Sequence, residues 1–95
     1  MSDTQEIQMS DIIEMHPIYL LRWEESENSF VLLYPEGIVK LNSSAGEILN
    51  RLGGGRVVGD LIAELTELCP GEDIAPDILA FLEIANDKGW TRLKA

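Results

Sequence analysis

The sequence predicts an α+β fold: a three-stranded antiparallel sheet followed by a three-helix, winged-helix-like bundle. Two observations predict this fold. Three short apolar runs separated by polar turn clusters lie in the first half of the chain, and three stripes of apolar residues at helical spacing follow them. The chain has 95 residues, of which 45% are hydrophobic, so we expect one domain with one core.

Residues 1–15 are polar and acidic, with only scattered apolar residues. Because chain ends are often poorly ordered, we expect this segment to be flexible and the domain to comprise residues 16–95. The segment has no basic stretch followed by a long apolar one, so the sequence predicts no secretory signal.

The three apolar runs, residues 18–24, 30–34 and 38–41, are expected to form the strands of a meander. A Pro35-Glu36-Gly37 segment separates the last two runs and has the composition of a tight turn, because proline restricts φ and glycine accepts positive φ. The middle run is apolar at every position instead of alternating. We therefore expect it to be the central strand, covered on both faces.

Three helices are expected after the meander. The first begins with the capping-box pattern Ser44-x-x-Glu47 and ends at three consecutive glycines. The third can be capped by Asp73, has Pro76 in its first turn and ends at Gly89. Residues 90–93 are a candidate closing strand. The apolar stripes of the three helices are Ala45, Ile48, Leu49 and Leu52; Val58, Leu61, Ile62, Leu65 and Leu68; and Ile74, Ile78, Phe81, Leu82 and Ala85.

The charge of the chain disfavours several classes of partner. Seven Lys and Arg stand against 17 Asp and Glu, which gives a net charge of −10. Such a chain repels phosphate backbones and anionic lipids, so neither nucleic acid nor a membrane surface is an expected partner.

No apolar run reaches the length of about 18 residues that a membrane-spanning helix needs. The single cysteine, Cys69, excludes an internal disulfide and predicts a reducing, cytoplasmic environment.

No arrangement of residues predicts catalysis, a metal or a cofactor. One histidine, His16, and one cysteine cannot supply a Cys/His zinc site. The three glycines follow a helix and precede Arg56, whereas a phosphate loop follows a strand and ends in Lys-Ser/Thr. The third helix carries Asp77, Glu83 and Asp87, which disfavours its use as a DNA-recognition helix. The sequence therefore predicts a binding protein and not an enzyme.

An antiparallel meander has two open edges, and an extended peptide can dock on such an edge as an added strand. The third strand leads directly into the first helix, so it is a candidate border of a groove. The alternative is that Lys40 only protects this edge from aggregation, which is a common role for an edge lysine.

Several segments together resemble the pyrroloquinoline quinone biosynthesis protein D family over residues 16–93. The residues that carry the resemblance are Arg22-Trp23-Glu24, Val31-Leu32-Leu33-Tyr34-Pro35-Glu36-Gly37, Val39-Lys40-Leu41-Asn42, Ala45 and Ile48-Leu49. The chain departs from the family at Gly53-Gly54-Gly55, where many members have a Cys-Asp-Gly-like turn.

The resemblance implies a peptide chaperone that binds a ribosomally made precursor peptide. It further implies presentation of that peptide to a radical S-adenosylmethionine enzyme. In relatives, the peptide adds a strand to the third strand of the sheet, over a groove walled by the third helix. Carried onto this sequence, the binding residues are Ile38, Val39, Lys40 and Leu41 on the strand, and Ile78, Phe81, Leu82 and Ala85 on the helix.

Two other functions stay open from the sequence alone. One is recognition of a different precursor in another modified-peptide pathway, and the other is an acidic winged-helix regulator of transcription. The sequence also leaves the choice between a monomer and a dimer open.

Overall fold

The computed structural model describes residues 6–94, and it contains two three-stranded antiparallel sheets and three helices. The predicted α+β class is confirmed, whereas a single sheet was expected and two are present. The part of the predicted flexible segment in residues 1–5 lies outside the described residues. The elements in chain order are β1 (Ile12–Met15), β2 (Leu20–Glu24), β3 (Ser29–Tyr34), β4 (Gly37–Lys40), α1 (Ser43–Asn50), β5 (Arg56–Val57), α2 (Val58–Leu68), α3 (Ala75–Asp87) and β6 (Thr91–Lys94).

The predicted meander is present as the sheet β2-β3-β4, with β3 in the centre. Two successive residues of β3, Val31 and Leu32, are both buried. Because successive side chains of a strand point to opposite faces, both faces of β3 are covered at this point, as its continuous apolar pattern predicts.

Helix α1 packs closely against β3. A Cβ atom built on Gly46 would lie 2.8 Å from the Phe30 Cδ2 atom, so the helix approaches the strand at a distance that only glycine allows. The N-cap of α1 is Asn42, whose Oδ1 accepts a hydrogen bond from the Ala45 N–H at 2.7 Å. The predicted capping box was therefore wrong: the N-cap lies two residues before Ser44, and Glu47 pairs with Arg51 instead.

The second sheet has the order β5-β1-β6, and only its closing strand β6 was predicted from the sequence. Residues 12–15, expected to be flexible, form its central strand, in which Ile12 pairs with Val57 and Ile13 pairs with Leu93. The Ile13 side chain is fully buried. A four-residue strand has little preference of its own, and only pairing with two distant segments stabilises it.

The ends of α2 and α3 also differ from expectation. Leu68, predicted to be core, is 59% exposed in the last turn of α2. The N-cap of α3 is Ile74, with no side-chain cap, so Asp73 does not cap this helix. Gly89 ends α3 at a φ of +83°, as predicted. Within residues 6–94, no helix has the length and apolar character needed to cross a membrane.

Candidate functional site

Strand β4 is an edge strand, because β3 is its one partner in the sheet. The Leu41 N–H donates to the Phe30 carbonyl at 3.2 Å, and Leu32 lies opposite Val39. In an antiparallel pair, only alternate residues exchange hydrogen bonds with the partner strand. Val39 and Leu41 therefore direct their backbone groups to β3, and Ile38 and Lys40 direct theirs outward. These two residues offer two N–H and two C=O groups to a docking strand.

The side chains of β4 alternate in the same way. Ile38 is 51% exposed, and Lys40 lies on the surface, where its Nζ atom is 3.3 Å from the Glu27 carboxylate. Val39 is half-buried and Leu41 is buried. Of the four predicted strand residues, the two with outward backbone groups also have exposed side chains, and Leu41 contributes its side chain to the core.

A groove with a volume of about 730 Å³ lies between α1, the C-terminal end of α2 and the first half of α3. Its wall at α1 includes Asn42, Ser43 and Ser44, and only Leu41 separates them from the end of β4. The groove is therefore reached at the C-terminal end of the open strand. Six of its apolar lining residues are Ile48, Leu65, Leu68, Ile74, Ile78 and Phe81.

The four residues predicted on the third helix divide into two pairs. Ile78 and Phe81 line the groove. Leu82 and Ala85 are completely buried and do not line it. This division follows from the helical period: Ile78 and Phe81 lie on the side of α3 towards α1, whereas Leu82 and Ala85 lie deeper in the core.

The part of the groove that α2 and the following loop supply was not predicted from the sequence. Leu68 continues the apolar stripe of α2, so the stripe alone predicted a core position. Its place as the last residue before Cys69-Pro70-Gly71 was the available signal, because a helix end next to a turn is often incompletely covered.

Arg51 lines the groove, and its charge is balanced by two carboxylates. Its guanidinium donates to Glu64, and its Nη2 atom lies 3.3 Å from the Glu47 carboxylate. The hydrogen bond to Glu64 is the main cause of a raised pKa of Arg51. The pKa of Glu64 is lowered, mainly by the hydrogen bond from Arg51 and next by the hydrogen bond from Arg56. The Arg56 Nη2 atom is 3.0 Å from Glu64 Oε1, so this carboxylate joins α1, β5 and α2.

The described residues contain no group of three His, Cys, Asp or Glu side chains placed to hold a metal ion. The His16 Nδ1 atom accepts a hydrogen bond from the Ile18 N–H at 3.2 Å. The site that the structure presents therefore consists of an open strand and an apolar groove, which suit the binding of an extended peptide.

Comparison with known proteins gives a consistent picture. Residues 29–90 match the family model described as coenzyme PQQ synthesis protein D (PqqD). The chain is 41% identical over 90 residues to the PqqA binding protein of Stutzerimonas stutzeri, with 94% of this chain and 98% of that protein covered. It is 42% identical over 89 residues to the PqqA binding protein of Azotobacter vinelandii, with 93% and 97% covered.

A solved structure has a similar fold over nearly the whole chain. It is the solution NMR structure of the PqqD truncation of Methylobacterium extorquens PqqCD, described as a functional, stand-alone recognition element for ribosomally synthesised and post-translationally modified peptides. The TM-score is 0.76 at 27% sequence identity, with 97% of this chain and 99% of that chain covered.

Proposed function

We propose, from the premise that this chain belongs to the coenzyme PQQ synthesis protein D family, that it is a non-catalytic recognition protein for the precursor peptide PqqA. The observation that carries the proposal is the open edge of β4, which leads directly into an apolar groove. Relatives that match almost the whole chain are named for binding PqqA, and this supports the choice of that peptide.

The docking strand accounts for only part of the affinity. Four outward backbone groups can form at most four hydrogen bonds, with a net gain of about 0.5–1.5 kcal/mol each. Ordering a disordered peptide costs about 2–5 kcal/mol, which is of similar size. The apolar groove must therefore provide the remaining affinity and the selectivity among peptides. The expected complex has a strand paired with Ile38 and Lys40 and a continuing segment in the groove.

The family resemblance extends this proposal to a second partner, a radical S-adenosylmethionine enzyme to which the bound peptide is presented. Holding the peptide on a protein that also binds the enzyme raises the effective concentration of the peptide at the enzyme. A cytoplasmic location remains a prediction from the single cysteine, and a winged-helix-like arrangement of the three helices remains a prediction from the order of the elements.

A proline substitution in β4 tests the docking edge. Lys40→Pro removes an outward N–H that the fold does not use, and proline is tolerated at such edge positions. We expect Lys40→Pro to keep its melting temperature within a few degrees and to bind PqqA at least about tenfold more weakly in a calorimetric titration, since one bond is lost and the strand approach is blocked.

Lys40→Ala is the matched control for this test. It keeps the backbone N–H and removes the ion pair with Glu27, which is exposed and contributes little. Its affinity for PqqA should be close to that of the unmodified chain. Val39→Pro should instead destabilise the protein, because the Val39 N–H faces β3. A folded Lys40→Pro variant with unchanged affinity would show that the peptide docks elsewhere.

A further inference from the structure

The two sides of the groove differ in charge. On the α1 side, the positive charge of Arg51 is balanced by Glu47 and Glu64. On the opposite side, Glu72 and Asp77 line the groove and are exposed, and neither forms an ion pair with another residue between positions 6 and 94. The groove therefore combines apolar side chains with two uncompensated negative charges on one side.

An exposed apolar surface lies beside these carboxylates. Leu68 is 59% exposed, and the half-buried Phe81 lines the same groove. Asp77 and Phe81 are four residues apart on α3, so their Cβ atoms lie about 5–6 Å apart along one face of the helix. An apolar contact and a negative charge are thus separated by a fixed, short distance.

An extended peptide matches this distance with residues two positions apart. Its successive side chains alternate in direction, and residues i and i+2 on one face are about 6.6 Å apart. A side chain that packs against Phe81 and Leu68 therefore places its i+2 or i−2 neighbour next to Asp77. A lysine or arginine there gains a partner, whereas an acidic residue is repelled.

We propose that the groove selects a peptide segment in which an apolar residue and a lysine or arginine are two positions apart, with the apolar side chain on Phe81 and Leu68 and the cation at Asp77 and Glu72. The inference rests on the proposed function, since it concerns the same groove, and it specifies the chemistry of the bound segment. The acidic surface of the chain as a whole favours the approach of such a basic segment.

The charge half of the inference is tested with synthetic PqqA from the gene cluster of this protein. The variants are Asp77→Asn and Glu72→Gln, and Glu83→Gln is the control because Glu83 is exposed on α3 and does not line the groove. We expect the Kd to rise about threefold for each groove variant and to stay unchanged for the control. Melting temperatures check the fold, since Asp77 also lies in the first turn of α3.

Peptides with single Lys or Arg residues replaced by Gln identify the cation. For one such peptide, the unmodified protein should bind as weakly as the Asp77→Asn variant binds unmodified PqqA. The Asp77→Asn variant should bind this changed peptide no more weakly than the unmodified protein does, because both changes remove the same ion pair. This coupling is a result that a purely structural role of Asp77 cannot produce. The binding of unmodified PqqA should also weaken with added salt, and less so in the groove variants.

The apolar half is tested with Leu68→Ser, for which Ile84→Ser is the control. Both side chains are more than half exposed, so neither change should affect folding strongly, but only Leu68 lines the groove. We expect about tenfold weaker binding for Leu68→Ser and none of this effect for Ile84→Ser.

The two levels of the proposal fail in different ways. If the unmodified protein binds PqqA and all groove variants bind it equally well, the inference about the groove is overturned and the proposed function stands. If the unmodified protein does not bind PqqA, the proposed function and the inference are both overturned.

Discussion

The two sheets have the same number of strands but are assembled from different parts of the chain. In the sheet β2-β3-β4, neighbours in space are also neighbours in sequence. In the sheet β5-β1-β6, the strands come from residues 12–15, 56–57 and 91–94. The first sheet can therefore be assembled from local contacts, whereas the second one joins both ends of the described chain and needs the whole fold.

The exposed edges of the two sheets differ as well. Strand β4 presents Ile38 and Lys40 to solvent at one end of the groove. The second sheet has a two-residue strand at one edge and β6 at the other, where Arg92 forms an ion pair of 2.8 Å with Glu14. Very short and charged edge strands resist the addition of further strands. The comparison indicates that the local sheet provides the binding edge and that the long-range sheet closes the domain.

The largest expected effect tests whether β1 is a structural part of the domain. Ile13→Ala removes a fully buried side chain from the central strand, so we expect a loss of about 2–5 kcal/mol in the free energy of unfolding. Leu32→Ala, equally buried in the first sheet, should cost a similar amount. Chemical denaturation measures both.

Ile12→Ala is the control for this prediction. Ile12 is the neighbouring residue on the opposite face of β1 and is 40% exposed, so its truncation should cost less than about 1 kcal/mol. If Ile13→Ala leaves the free energy of unfolding unchanged, residues 12–15 are flexible, as the sequence alone suggested. The second sheet would then not close the domain.

The contact between α1 and the first sheet is tested with Gly46→Ala. The new Cβ atom would be 2.8 Å from Phe30 Cδ2 and 3.0 Å from Phe30 Cβ, so the helix or the strand must shift. We expect a net destabilisation of about 1–2 kcal/mol after the helix preference of alanine is included. Gly54→Ala, with no atom within 4 Å, should be neutral. Equal stabilities of the two variants in thermal unfolding would contradict the close approach.

A stabilising substitution is expected in the second sheet. Thr91 in β6 is 2% exposed, and its hydroxyl has no hydrogen-bond partner among residues 6–94. Thr91→Val replaces that hydroxyl with a methyl group of similar size, and we expect a gain of about 1 kcal/mol. Thr91→Ser is the contrasting variant, because it keeps the hydroxyl and should lower the melting temperature. A loss of stability in Thr91→Val would indicate that the hydroxyl is bonded in solution.

The smallest effect concerns the ion pairs through which Glu64 joins α1, β5 and α2. Arg51 and Arg56 lower the pKa of Glu64 in the folded state. The ionised carboxylate therefore stabilises the fold when the pH is above 4.5, the ordinary pKa of a glutamate. This contribution is lost as the pH falls through the lower folded pKa. Glu64→Gln should therefore lower the melting temperature slightly at pH 7, and this difference should shrink as the pH falls below 4.5.

Glu67→Gln is the control for the pH dependence, since Glu67 is an exposed carboxylate on the same helix. Its melting temperature should follow that of the unmodified protein at every pH. A Glu64→Gln difference that persists unchanged in acid would show that the effect comes from packing and not from charge.

The sequence by itself determined the local parts of this protein. The meander followed from three apolar runs and a Pro-Glu-Gly turn, and the helices followed from stripes at helical spacing and from glycine at their ends. These signals act over a few residues, where backbone geometry and side-chain period decide the outcome. The resemblance to the family supplied the expected function and the strand Ile38 to Leu41.

Only the tertiary structure decided the remaining features. The four residues of β1 became a central strand because two distant segments supply its partners. The choice of Asn42 over Ser44 as the cap depended on the exact start of α1 after β4. The groove arose where three helices meet, and the division of α3 between Phe81 at the groove and Leu82 in the core depended on how the helices pack. An apolar stripe shows that a face is buried, but what buries it is set by contacts between segments far apart in the chain.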